Sequence, residues 1–290
     1  MNQMQCPFHS RATNAAIEPL AHKAAITPTR ATLCAIDPSS IYKQEDLDQV
    51  KAFFAGIDID IHLLVPNIFF NQITAPSVSE TLLKTGQMER NLPERYQRTA
   101  HFLLELPKDP ASKEAQKIIH SVNAMHAAAG VDPNSADFHY VMYCFTSKLV
   151  EMLKVYDHTP PTEAQELAWY NVWKGICSQM NCTNLPEDYQ EFKKQNQEFE
   201  SKARASISPE TKQFAQHMFS EIMSRFPDPA IDLAKDFVVA LLDDELPELL
   251  GLEPPSSAKK SLLRHVLLIS SDFEYHRKAM LAWLKHEKTE

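Results

Sequence analysis

The stretch IIHSVNAMHAAAG (118–130) decides how this chain is read. Ile119, Val122, His126 and Ala129 follow one another at steps of three, four and three residues, which places all four on one face of an α-helix. The residues after His126 are Ala, Ala, Ala and Gly, so that end of the helix is small. His120 lies six residues before His126, roughly 240° around the helix, so the two imidazoles cannot bind one metal.

Helical signals of the same kind extend in both directions. The periodic segments are 77–85, 93–106, 112–129, 135–156, 162–180, 186–203, 208–225, 229–242 and 257–286. Several open on Ser, Thr or Pro, the residues that begin helices, and Thr162-Glu-Ala-Gln165 has the form of a capping box. Pro110, Pro133, the Pro160–Pro161 pair, Pro186 and Pro227 fall between periodic stretches, as boundaries should. Residues 39–46 offer a cap and acidic residues leading into Val50, Phe53 and Phe54. The stretch IDIDIHLLVPNIFF (57–70) alternates at first, and its Pro66 would interrupt a helix. In the last segment Leu262, Val266, Ile269, Phe273, Met280 and Trp283 form a stripe, expected to pack in the core, with a homodimer seam as the alternative.

Composition agrees. The 290 residues include only 5 Gly against 19 Pro, whereas phosphate-cradling loops and tight hairpins both consume Gly. Hydrophobic residues make up 44% and charged residues 23%, the balance of a globular chain with enough length for one large core. A net charge of −9 disfavours nucleic-acid binding. Five scattered Cys read as reduced thiols. No apolar run approaches the roughly 18 residues of a membrane span, and the N-terminus lacks an export signal, so a cytoplasmic location is expected. The economical reading is all-α: an irregular arm over residues 1–38 and one helical domain over 39–290.

Most catalytic signatures are missing. There is no His-Glu-x-x-His, and none of the 12 His has Glu or Asp three positions earlier, which excludes zincin and ferritin-like metal sites. Gly-x-Ser-x-Gly and the Walker and Rossmann glycine patterns are absent. Without Cys-x-x-Cys-His there is no conventional covalent haem attachment, though a non-covalent haem stays open. Two constellations survive. In ERYQRTAHFLLEL (94–106), Arg95, Thr99, Phe102 and Leu106 share one helical stripe with Arg98 beside it. Those arginines either bridge to surface carboxylates or face a cavity and meet an anionic or oxygen-bearing ligand. His126 is either a hydrogen-bonded core residue or a metal ligand beside a surface small enough for a flat macrocycle.

These residues resemble a family of haem-containing oxygenases, the latex-clearing rubber oxygenases and MpaB-type oxygenases. The resemblance runs over about residues 76–192. It is carried by Thr85-Gly-Gln-Met88, Arg95-x-x-Arg98-Thr99, Val122-Asn-Ala-Met-His126, the aromatic run 137–145, Pro160-Pro-Thr-Glu-Ala-Gln-Glu166, and Leu185-Pro186 with Tyr189 and Phe192. It implies an all-α fold around haem b, with His126 as the proximal ligand of the iron and Arg95, Arg98 and Thr99 lining the distal side. It implies O2 activation and cleavage of a C=C bond in an isoprenoid chain to carbonyl products. Asn123, Met125 and Phe102 are then cofactor contacts, and Phe138, Tyr140 and Phe145 further pocket walls. Two departures matter. The rubber enzymes carry Lys where this chain has Arg98, and an always-protonated guanidinium cannot ligate iron. Asn123 stands where members often have Arg, so contacts to the haem propionates differ. Glu80 and Glu94 are both open as the catalytic carboxylate reported for some members. The expected partners are O2 and a small hydrophobic unsaturated substrate. The rivals are a haem protein with a peroxidase-like, sensing or storage role, and a haem-free helical interaction module.

Overall fold

The computed structural model describes residues 37–86, 98–224 and 226–286. Most of the proposed N-terminal arm, together with Glu94 and Arg95, lies outside the described residues. Among those described, the chain is all-α, with no strand. The helices are α1 (Gln44–Gly56), α2 (Val65–Gln72), α3 (Pro76–Thr85), α4 (98–104), α5 (Lys113–Ala129), α6 (Ala136–Tyr143), α7 (Leu149–Tyr156), α8 (Glu163–Gln179), α9 (Tyr189–Ala205), α10 (Pro209–Met223), α11 (Ile231–Leu241), α12 (Leu246–Leu250) and α13 (Ser257–His286). None is long and apolar enough to cross a membrane.

Local chemistry sets most of the ends. The side chains of Ser112, Ser135, Thr162, Asp188 and Ser208 each accept from a backbone N–H in the first turn of the following helix, satisfying donors that the helix cannot. The capping box is complete: Gln165 N–H donates to Thr162 Oγ1 at 3.3 Å, and Thr162 N–H donates to Gln165 Oε1 at 2.9 Å. The cap expected over 39–46 is divided. Asp37 caps a short 3₁₀ turn over Pro38–Ile41, while α1 starts after Lys43 without a side-chain cap.

The molecule is organised around the continuous rod 136–156. Read from the sequence as one helix, it contains a π-helical segment, Cys144–Lys148, between α6 and α7. Every residue from Met142 to Ser147 is buried, as expected of a helix surrounded by neighbours. Helix α9 packs on α6, α8 and α2 on the π-segment, and α13 on α7. Full burial of a ring such as Phe70 or Phe192 contributes about 2–3 kcal/mol. Helix α1 lies along α8, with Phe53 and Phe54 5.2 and 5.5 Å from the Trp169 ring.

The stretch 57–70 and the last helix differ from their sequence reading. The alternating residues 57–60 form no strand. The N–H groups of Asp58 and Ile59 instead donate to Asp157 Oδ2 at 2.9 and 3.0 Å. Pro66 does not interrupt a helix either: it sits in the first turn of α2, where a missing N–H costs nothing. The described part of the stripe expected to fill the core from α13 lies outside. Leu262, Val266 and Ile269 are 63, 49 and 66% exposed, and the docked face is Leu263, Leu267 and Ser271. Specific anchors on α7, α11 and the turn after α7 set that rotation: His158 N–H donates to Ser271 Oγ at 2.6 Å, and Arg264 Nε donates to the Ala240 carbonyl at 3.1 Å. The side chains of Phe273, Met280 and Trp283 lie outside the described residues.

Candidate functional site

Helix α5 carries the imidazole that the sequence singles out. Ala115 and Ile119 are buried, and Val122 and His126 are half-buried, so the stripe rises from the core toward the surface at its C-terminal end. Gly130 closes the helix in the left-handed region at φ 71°, and Val131 N–H returns to the His126 carbonyl at 2.9 Å. His126 thus sits in the last helical turn, where the carbonyl dipoles favour a positive charge. Its ring meets Phe138 edge to face, with centroids 5.9 Å apart and planes at 88°. Asn123 turns the other way: its amide donates to the Gln179 carbonyl at 2.9 Å, tying α5 to the end of α8. Met125 is 49% exposed.

Helix α4 carries the second constellation. Arg98 is exposed, Thr99 and Phe102 are half-buried, and Leu103 and Leu104 are in the core. The Phe102 ring stands 6.3 Å from Phe145 and 5.5 Å from Trp173. Phe138 and Phe145 are seven residues apart on the same rod, the first in α6 and the second in the π-segment. The rod therefore joins the two constellations, with His126 against its first ring and Phe102 against its second. Glu80 is exposed on α3.

Tyr140 looks elsewhere. Its hydroxyl donates to Glu200 Oε1 at 3.1 Å and lies 3.5 Å from Thr74 Oγ1. Burial pushes its phenol far above the ordinary range, and the nearby Cys144 and Glu200 add to the shift. It belongs to an ion network that sequence reading missed. Lys148 Nζ meets Glu200 Oε1 at 3.0 Å and Asp243 Oδ2 at 2.9 Å. Arg204 meets Glu200 at 2.7 Å, Asn71 at 2.8 Å, and Asp243. Burial opposes charge on Asp243, but Lys148 and Arg204 outweigh it and hold the carboxyl below its usual range. Burial likewise opposes charge on Lys148, and Asp243 and Glu200 prevail to raise it. The one sequence signal was Lys148 itself, a cation in the largely apolar run 138–156. Its close partners Glu200 and Asp243 are remote in sequence, and only Glu151, at 4.0 Å, is local.

The π-segment separates the two regions by aiming Phe145 at α4 and Lys148 at the ion network. Its backbone is secured by side chains. Trp169 Nε1 donates to the Phe145 carbonyl at 3.2 Å, and Thr146 Oγ1 donates to the Met142 carbonyl at 2.9 Å. Trp173, one turn beyond Trp169, was also missed. It is 1% exposed, its ring is 5.3 Å from Phe145, and its Nε1 finds no hydrogen-bond acceptor among the described residues. Cys144, Cys177 and Cys182 are buried free thiols, as expected of reduced cysteines. Among the described residues, no three His, Cys, Asp or Glu side chains gather as a metal site.

A family model described as "ER-bound oxygenase mpaB/B'/Rubber oxygenase, catalytic domain" matches residues 66–270, more than half the chain and well beyond the limits of the resemblance seen in the sequence. No curated protein and no solved structure matches.

Proposed function

We propose, since this chain belongs to the family of MpaB and rubber oxygenase catalytic domains, that it is a haem b-dependent oxygenase cleaving a C=C bond of a hydrophobic, isoprenoid or lipid-like substrate. The observation that supports this reading is the shared rod: His126 packs on Phe138, and Phe102 packs on Phe145 seven residues further along, so α5 and α4 both border its aromatic rings.

The residues present fit the cofactor. A haem iron needs only one imidazole from the protein, and His126 lies half-buried against the Phe138 ring at the small-residue end of α5. Trp173 Nε1 adds an unsatisfied buried donor beside α4, suited to an oxygen-bearing ligand. When bound, haem b would supply the iron at which O2 is activated.

The chain's own groups would do the rest. His126 would hold the metal, its basicity favoured by the helix C-terminus. Ala127, Ala128 and Ala129 leave that end of α5 free of bulk. Arg95, Arg98 and Thr99 would donate hydrogen bonds to oxygen on the opposite side, where fixed donors stabilise developing negative charge. Arg98 would act only as a donor, since guanidinium stays protonated. Phe102, Phe138 and Phe145 would exclude water and receive the unsaturated chain. Met125, next to His126, would be the remaining cofactor contact, while Asn123 would serve by anchoring the helix through the Gln179 carbonyl. A cytoplasmic location belongs to the same proposal.

The test is product analysis. Haem-loaded protein is incubated with farnesol or squalene under oxygen-18 gas, and carbonyls are trapped as hydrazones for mass spectrometry. Cleaved fragments carrying oxygen-18, with matching O2 uptake, are expected. Peroxide-dependent oxidation of a one-electron donor dye with no chain cleavage would overturn this reading in favour of a peroxidase-like protein.

A further inference from the structure

Trp169 and Trp173 stand one turn apart on α8, 0 and 1% exposed, with rings 5.8 Å apart in a T-shaped contact. Their indole N–H groups differ. Trp169 donates to the Phe145 carbonyl at 3.2 Å and so secures the π-segment. Trp173 donates to no acceptor among the described residues. A buried donor without an acceptor costs about 1–3 kcal/mol, and buried Trp N–H groups usually find a partner. Packing does not explain the indole, because a Phe there would offer an apolar ring without that cost. A buried orphan of this kind points to a group that completes it. The ring is wedged between Phe102 of α4 and Phe145 of the π-segment, 5.5 and 5.3 Å away. These are the two rings through which α4 meets the π-segment.

We propose that the Trp173 indole N–H is a ligand-binding donor that recognises an acceptor oxygen of the molecule held between α4 and the α6–π face. The inference rests on the pocket proposed above but not on iron. The shared ligand chemistry is an uncharged or anionic oxygen brought into a water-poor aromatic box. A porphyrin carboxylate is one source, and a hydroxyl or carbonyl on a hydrophobic substrate is the other.

The test uses the full chain labelled with nitrogen-15 in its 3 tryptophans. The indole signals are assigned through Trp169→Phe and Trp283→Phe, so that position 173 stays intact. Three probes are titrated: gallium protoporphyrin IX, which is diamagnetic, its dimethyl ester, and farnesol. A downfield shift of the Trp173 indole proton with slowed solvent exchange is expected for at least one probe. Trp173→Phe should then weaken that probe's binding about tenfold. A shift with the diacid but not the diester assigns a porphyrin carboxylate, and a shift with farnesol assigns a substrate oxygen. Probes that bind while the Trp173 signal stays put would overturn the inference, as would a chain that binds none of them. If farnesol moves the signal while the porphyrin fails to bind, the haem reading fails and this inference stands.

Discussion

Trp169 donates its indole N–H to the carbonyl of Phe145 at 3.2 Å, and this bond links α8 to the segment where the central rod changes from α to π periodicity. It holds Phe145 toward α4 while Lys148, three residues on, enters the ion network. Trp169→Phe keeps an aromatic ring but leaves the carbonyl unmet. A loss of about 1–3 kcal/mol is expected, read as a lower urea midpoint with unchanged slope. An unchanged midpoint would mean the bond is dispensable.

Lys148 is the hub of the buried charges, within 3.0 Å of Glu200 and 2.9 Å of Asp243. Lys148→Met leaves both carboxylates to Arg204. The expected loss is about 3 kcal/mol, because breaking a buried pair strands its partner. Chemical denaturation of the variant beside the wild type measures it.

The same network predicts a pH profile. The Asp243 carboxyl is lowered in the folded state, so its contribution is fully present above about pH 4 and is lost as pH falls through the lowered value. The Lys148 ammonium is raised, so its contribution is present below about pH 10 and is lost as pH rises through the raised value. Stability from these two groups should be level between about pH 5 and 9. In thermal melts across pH, Lys148→Met should remove the alkaline fall.

Gly175 lets Tyr42 rest on α8. A Cβ at that position would stand 2.6 Å from Tyr42 Cε1 and 3.1 Å from Ile41 Cγ2. The Tyr42 hydroxyl accepts from the Gln179 amide, so the ring is not free to swing away. Gly175→Ala should cost about 1–3 kcal/mol through overpacking. Gly56 has nothing within 4 Å of such a Cβ, and Gly56→Ala serves as the control in the same denaturation series.

Thr99 is the half-buried hydroxyl of the distal stripe. Thr99→Val keeps its shape and removes the donor. Turnover on a prenyl substrate should fall about tenfold or more with KM little changed, the pattern of a group that acts in the transition state. A rise in KM alone would assign the residue to binding.

Much of the fold is legible because helix ends obey local chemistry. Ser112, Ser135 and Thr162 announce their helices within four residues, and the last helix spans 257–286 as its pattern says. The π-segment is not legible, because what secures it is an indole 24 residues away. The ion network is equally remote from any local pattern. Periodicity found the stripe through His126, yet it does not give depth, and the imidazole is half-buried rather than enclosed. On α13 the same limit reversed the outcome: the periodic residues Leu262, Val266 and Ile269 face outward because anchors at Ser271 and Arg264 fix the docked face elsewhere. Asn123, expected at the cofactor, has its amide bonded to the Gln179 carbonyl, a pairing that no spacing rule reports.

The central claim is that His126 is the single protein ligand of a haem iron. Its most direct test is the absorption spectrum, with iron and haem quantified, of the wild type and of His126→Ala after haem supplementation. One haem per chain with a Soret band is expected in the wild type, and loss or marked displacement of that band in a variant whose helical circular dichroism is unchanged. A colourless wild type, or a variant with the same band and the same haem content, would contradict it.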